Sequence, residues 1–196
     1  MDIGEATKSE VFRPLATVAI PGAVAVAPYI VVAQHYIPRV LEFWKEHDTA
    51  FSAIVVACML AAGLMLENIG SLIEGRVFDR VLERRFPGHG ANWQRYLQLR
   101  IRDEYVGQRY LRNVVTHLKF ELAMLPSIVC LWIGLAWIQA IHKVWKGYGF
   151  LLLSFFMFAV VTYLVFEAYS SAKALGSTRK LLIDAVDNAP APQDAG

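Results

Sequence analysis

"MLENIGSLIEGRVFDRVLERRFPGHG", residues 65–90, is the stretch on which the fold turns. A run without formal charge ends at Leu66, and Glu67 and Asn68 follow at once. The apolar rhythm nevertheless continues. Ile69, Leu72, Ile73, Val77, Phe78, Val81 and Leu82 recur at helical spacing as far as Phe86, now interleaved with Arg76, Arg80, Arg84 and Arg85. Pro87-Gly88-His89-Gly90 then breaks the pattern. Two readings compete. The stretch is an acidic site at a membrane edge, or a membrane helix that walks out into water as a stalk.

Composition supplies the membrane. The chain has 196 residues, is 56% hydrophobic and has a mean hydropathy of +0.40. Soluble domains average about 45–50% apolar. Charge is sparse and clustered, which leaves four uncharged stretches: 14–38, 49–66, 122–142 and 147–166. A helix needs about 20 apolar residues to cross the hydrocarbon layer. The expectation is an all-α integral membrane protein with four transmembrane helices near 15–36, 49–66, 122–142 and 149–167. The first stretch also has the small residues of a signal-peptide cleavage site in "AVAVAP". Its apolar run continues through "YIVVA" beyond that point, which favours an uncleaved helix bent at Pro21 and Pro28.

Lysines and arginines set the orientation. Fifteen of them fall in the N-tail, the 67–121 insert and the C-tail, against four in the short loops 38–48 and 143–148. Both termini and the insert are therefore expected in the cytoplasm (N-in, C-in), with Tyr36, Trp44, Trp145 and Tyr148 as anchors at the outer interface. The expected location is the plasma (inner) membrane of a bacterium, as a multi-pass protein. The organisation reads as an N-tail (1–14), a membrane hairpin (15–66), a cytoplasmic helical hairpin (67–121), a second membrane hairpin (122–169) and a C-tail (170–196). In the insert, Asn92 is placed to cap a second helix that runs from Trp93 toward the third span. In the C-tail, 177–187 reads as a short helix and "NAPAPQDAG" as disordered.

Four constellations carry possible chemistry. The first is acidic: Glu67, Glu121 and Glu167 share a depth at the cytoplasmic ends of three spans, with Asn68 and Glu74 extending the polar face. Converging carboxylates coordinate a hard divalent cation or line a cation-selective mouth. The plainer reading is that charges reach water where the membrane stops. The second is on the outer side, where His35, His47 and His142 end three spans and Asp48 adjoins His47. Such a set suits zinc, copper or sensing of external pH, although amphipathic side chains are ordinary at an interface. Third, Cys58 and Cys130 fall inside spans and read as packing residues rather than a disulfide pair.

The fourth is basic: Arg76, Arg80 and Arg84 on the stalk, and Arg95, Arg102 and Arg109 on the second helix of the insert. These suit lipid headgroups or an acidic cytosolic protein. The insert holds ten Lys/Arg against seven Asp/Glu, and Asp79 and Glu83 can pair with Arg76 and Arg80 at i,i+3. That modest excess disfavours nucleic acid.

The sequence has no HExxH, P-loop, GxSxG or Cys-x-x-Cys signature. No cofactor is indicated beyond the divalent cation the carboxylates would suit. The expectation is a non-enzymatic sensor or effector, a homo-oligomer or subunit of a membrane complex, that docks a cytosolic protein through its basic insert and acts on the membrane. This layout resembles that of small bacterial phage-defence membrane proteins, at the level of architecture alone. The alternatives are an ion channel with a carboxylate mouth and a membrane-embedded metal-dependent enzyme using the same acids with His89 or His117.

Overall fold

The computed structural model describes residues 15–85 and 107–187. A π-helical turn at Leu15–Ala19 leads into α1 (Ile20–Tyr36). Then come α2 (Pro38–Glu46) and α3 (Asp48–Ile73), which a second π-helical turn at Glu74–Phe78 carries into α4 (Asp79–Arg85). The remaining helices are α5 (Gly107–His142) and α6 (Gly149–Asp187). Among the described residues there is no strand, and four helical stretches are long and apolar enough to cross a membrane. The N-tail, the Pro87–Gly90 break, the expected Asn92 cap and the 188–196 tail lie outside the described residues.

The helix that begins at Asp48 does not stop at Leu66. It continues through the π-helical turn, where the Asp79 N–H donates to the Glu74 carbonyl, and reaches Arg85. Its 38 residues span about 57 Å at 1.5 Å per residue, while a hydrocarbon layer is about 30 Å thick. The helix is therefore nearly twice as long as such a layer is thick. The 39 residues of α6 make a helix of similar length. The stretch 177–187, expected as a separate short helix, is the uninterrupted end of α6, because no glycine or proline after Gly176 breaks the chain before Asp187.

The short loop expected over 38–48 is instead mostly helical. Ile37, at φ −126°, is held extended by the following proline, and Pro38 starts α2 with its ring preset for a first turn. Leu41, Phe43 and Trp44 are exposed beside Arg39, Glu42, Lys45 and Glu46, so α2 is a short amphipathic helix. Trp44 stacks on Phe51 (5.3 Å, 16°), and its Nε1 donates to Asp48 Oδ1 at 3.2 Å. The second turn is closed by Gln139, whose side chain donates to the Trp145 carbonyl and accepts from the Trp145 N–H, both at 2.8 Å. Lys143 (φ 48°) and Gly147 (φ 58°) are left-handed there.

α5 is the central element. It packs against α1, α3 and α6, and α1 also packs on α3. The α1–α3 crossing is a backbone-to-backbone approach: Gly22 lies on Met59 and Gly63 lies on Val18. Gly134 of α5 gives way to the Pro28 ring, so this proline, set inside α1, is also a contact point. A different kind of packing holds the end of the bundle from which the stalk emerges. Phe78, Leu82, Leu118, Leu122, Leu125, Ala168, Ala172 and Leu175 form one apolar core shared by α4, α5, α6 and the π-helical turn. Close small-residue contacts suit helices in lipid, where burial of apolar surface gains little. A leucine-rich core forms where water is displaced. Along the spans Leu151, Leu152, Phe155, Phe156, Phe158 and Phe166 of α6 face outward, as do Ile54, Val56, Leu60, Leu64 and Met65 of α3. So broad an apolar exterior is what a lipid solvent covers.

Candidate functional site

The three expected carboxylates are not gathered into one site. The Glu67 side chain, about a quarter exposed, pairs with Lys119 of α5: Nζ donates to Oε1 at 3.2 Å. Glu121 is two residues further along α5, about 200° around the helix. It therefore faces α6, where Ser171 Oγ donates to its Oε1 at 3.4 Å. Glu167 is one turn before Ser171 and close enough to act on the charge of Glu121. The acids thus divide into two polar contacts on opposite sides of α5.

Glu121 is 6% exposed, with Leu118 and Leu122 on either side in the apolar core. Its Oε2 is sealed from solvent and has no hydrogen-bond partner among the described residues. Asn68 is exposed and faces away from the core. Glu74 opens the π-helical turn and is half-buried, within electrostatic reach of Asp79, Lys119 and Arg179. Arg179 is 8% exposed. Sequence reasoning overlooked Ser171 and Arg179. Ser171 stands four residues, one turn, after Glu167, a spacing that would have placed it on the same face.

At the other end of the bundle, His35 of α1 meets His142 of α5 edge to face, with ring centroids 5.0 Å apart. One rung away, Trp137 Nε1 donates to the Tyr36 hydroxyl at 3.3 Å. His47 packs on Phe43 at 5.1 Å, and Asp48 is engaged by Trp44. Among the described residues no group of three or more His, Cys, Asp or Glu side chains is gathered to hold a metal ion. Cys58, expected at a helix contact, is exposed, because Gly63 and not Cys58 faces α1. Cys130 is half-buried, and its carbonyl accepts from the Tyr29 hydroxyl at 3.1 Å.

The basic residues of the stalk lie on its surface. Arg76, Arg80 and Arg84 are exposed and follow one another at i,i+4. Val77 and Val81, 52% and 43% exposed, form a second strip beside them. Phe78 and Leu82 turn the other way, into the shared core. Arg85 Nη1 donates to the Tyr169 hydroxyl at 3.0 Å and ties the stalk to α6. Arg95 and Arg102 lie outside the described residues, as does His89. Arg109 is on the first turn of α5, where the backbone alone is described.

Compared with protein-family models, with curated proteins and with solved structures, the chain matches none.

Proposed function

We propose that the chain is a non-enzymatic, oligomeric sensor or effector of a bacterial inner membrane. It crosses four times with both termini and residues 67–121 in the cytoplasm. There the stalk docks a cytosolic protein that presents an acidic, amphipathic helix. The reading rests on one observation: Val77 and Val81 are exposed directly beside Arg76, Arg80 and Arg84, in the charged continuation of the helix past Leu66. Two exposed valines in water favour an apolar strip on a partner, and the arginines favour carboxylates along its edge. The opposite face of the stalk is packed on α5 and α6. A load on the docking face is therefore borne by the helices that cross the membrane. The carboxylate-mouth and metal-enzyme alternatives draw less support, since Glu67 is held by Lys119 and Glu121 is buried.

The test is charge reversal on the full-length protein. Arg76→Glu, Arg80→Glu and Arg84→Glu together should leave the protein inserted and oligomeric. They should lower the affinity of its cytosolic partner by at least tenfold, about 1.4 kcal/mol. The readout is the mass of the complex released from native membranes. A complex of unchanged mass and composition in the triple variant removes this function.

A further inference from the structure

The docking reading leaves one buried ionisable group unused. Glu121 sits on the seam between α5 and α6, 6% exposed, among Leu118, Leu122, Ala168 and Ala172. Its only hydrogen bond among the described residues is the 3.4 Å contact from Ser171 Oγ to Oε1, near the limit of such bonds. Oε2 has no donor among them. The surrounding charges do not supply one. On α5 itself, His117 is one turn away and Lys119 is turned to Glu67 on the far face. From α6 the facing groups are Glu167 and Ser171, while Arg179 lies two turns further on, near Glu74. From α3 and its π-helical turn come Glu67 and Glu74, both beside Lys119. Tyr29 of α1 faces Cys130, nine residues along α5.

An ionised Glu121 would therefore leave a buried carboxylate oxygen without a donor and set it against a second carboxylate. Both are costly in an apolar core. A proton removes both difficulties. It neutralises the group, which ends both the cost of burying its charge and the repulsion from Glu167. We propose that Glu121 is a proton-binding site between α5 and α6: the folded protein keeps its carboxyl neutral, and release of the proton to water loosens α6 from α5. This inference stands apart from the docking surface, since it uses none of the stalk arginines.

The sign follows from linkage. A carboxyl that keeps its proton in the fold but loses it on unfolding binds more protons in the native state. Stability is then fully present below the ordinary glutamate range and falls as pH rises above it, by up to tenfold in the folding constant per pH unit. The experiment uses the full chain in lipid nanodiscs. Infrared difference spectra at neutral pH should show the C=O stretch of a protonated carboxyl in the wild type and lose it in Glu121→Gln. In Glu167→Gln, which removes the opposing charge, the band should disappear at lower pH than in the wild type. Thermal unfolding should decline with pH in the wild type and less steeply in Glu121→Gln. If Glu121→Gln does not fold, Ser171→Ala decides: loss of the hydroxyl that bonds Oε1 must shift the band. Absence of the band in folded wild type, its survival in Glu121→Gln, or a band indifferent to Ser171→Ala overturns the proposal.

Discussion

Gly63→Ala should be among the most damaging single-methyl additions this chain can receive. A Cβ at Gly63 would overlap the Val18 carbonyl oxygen and stand 2.8 Å from the Val18 carbonyl carbon and 2.9 Å from its Cγ1, where ordinary contact begins at 3.4 Å. The reciprocal addition at Gly22 would overlap the Met59 carbonyl oxygen and stand 2.8 Å from the Gly63 nitrogen. The nearest obstacles are main-chain atoms of the facing segment, which cannot swing aside as a side-chain tip does. Relief requires α1 and α3 to part along their whole crossing. Overpacking of this kind costs about 1–3 kcal/mol, and the rigid backbone on both sides puts Gly63→Ala near 3. Gly75→Ala is the control: its Cβ meets nothing within 4 Å, and alanine is favoured over glycine in a helix by about 0.5–1 kcal/mol. Equilibrium unfolding of the three variants in detergent micelles, followed by circular dichroism, gives the comparison. If Gly63→Ala and Gly22→Ala unfold with the wild type while Gly75→Ala behaves no differently from them, the close crossing of α1 and α3 is refuted.

Two further substitutions probe other parts of the same argument. Leu82→Ala empties a site that is 2% exposed in the core joining the stalk to α5 and α6. It should cost about 2–5 kcal/mol in the same unfolding assay, and equal stability to wild type would mean that the stalk is not anchored there. Lys143→Gly relieves a non-glycine residue held at φ 48° in the turn between α5 and α6. It should stabilise by about 1 kcal/mol, and a loss of stability would show that the Lys143 side chain has a role its backbone does not explain.

The four long apolar helices were legible because crossing lipid imposes one crude demand, length without charge, and the sequence meets it four times. Continuation of α3 past Glu67 was legible for a related reason: Val77, Phe78, Val81 and Leu82 keep the helical period after the uncharged run has ended. Two features were not. α2 is nine residues long and lies where short length and several charges suggest a loop; only the Ile37-Pro38 step hinted at a helix start. The π-helical turn at Glu74–Phe78 depends on one extra residue per turn. A repeat of that kind leaves no compositional trace. The role of the glycines was legible only in kind. "AAGLML" promised a close approach, but that Gly63 meets Val18 while Cys58 faces outward follows from the rotation of α3 about its axis.

Rotation also explains why the carboxylates could be placed in depth and yet not joined. Counting residues from the ends of uncharged runs aligns Glu67, Glu121 and Glu167 along the helix axes and says nothing of the direction each side chain takes. A helix turns about 100° per residue, so an uncertainty of two residues at a boundary carries a side chain to the opposite face. On α5 that difference is visible in neighbours. Lys119 looks toward α3 and neutralises Glu67, while Glu121 looks toward α6 and meets Ser171. The two acids therefore have different surroundings. Glu67 is partly exposed and paired with a cation. Glu121 is sealed among leucines, with one oxygen lacking a donor among the described residues. A single ring of three charged carboxylates requires Glu121 to turn away from α6 or Lys119 to release Glu67. Each of those rearrangements breaks a contact that this packing of α3, α5 and α6 makes.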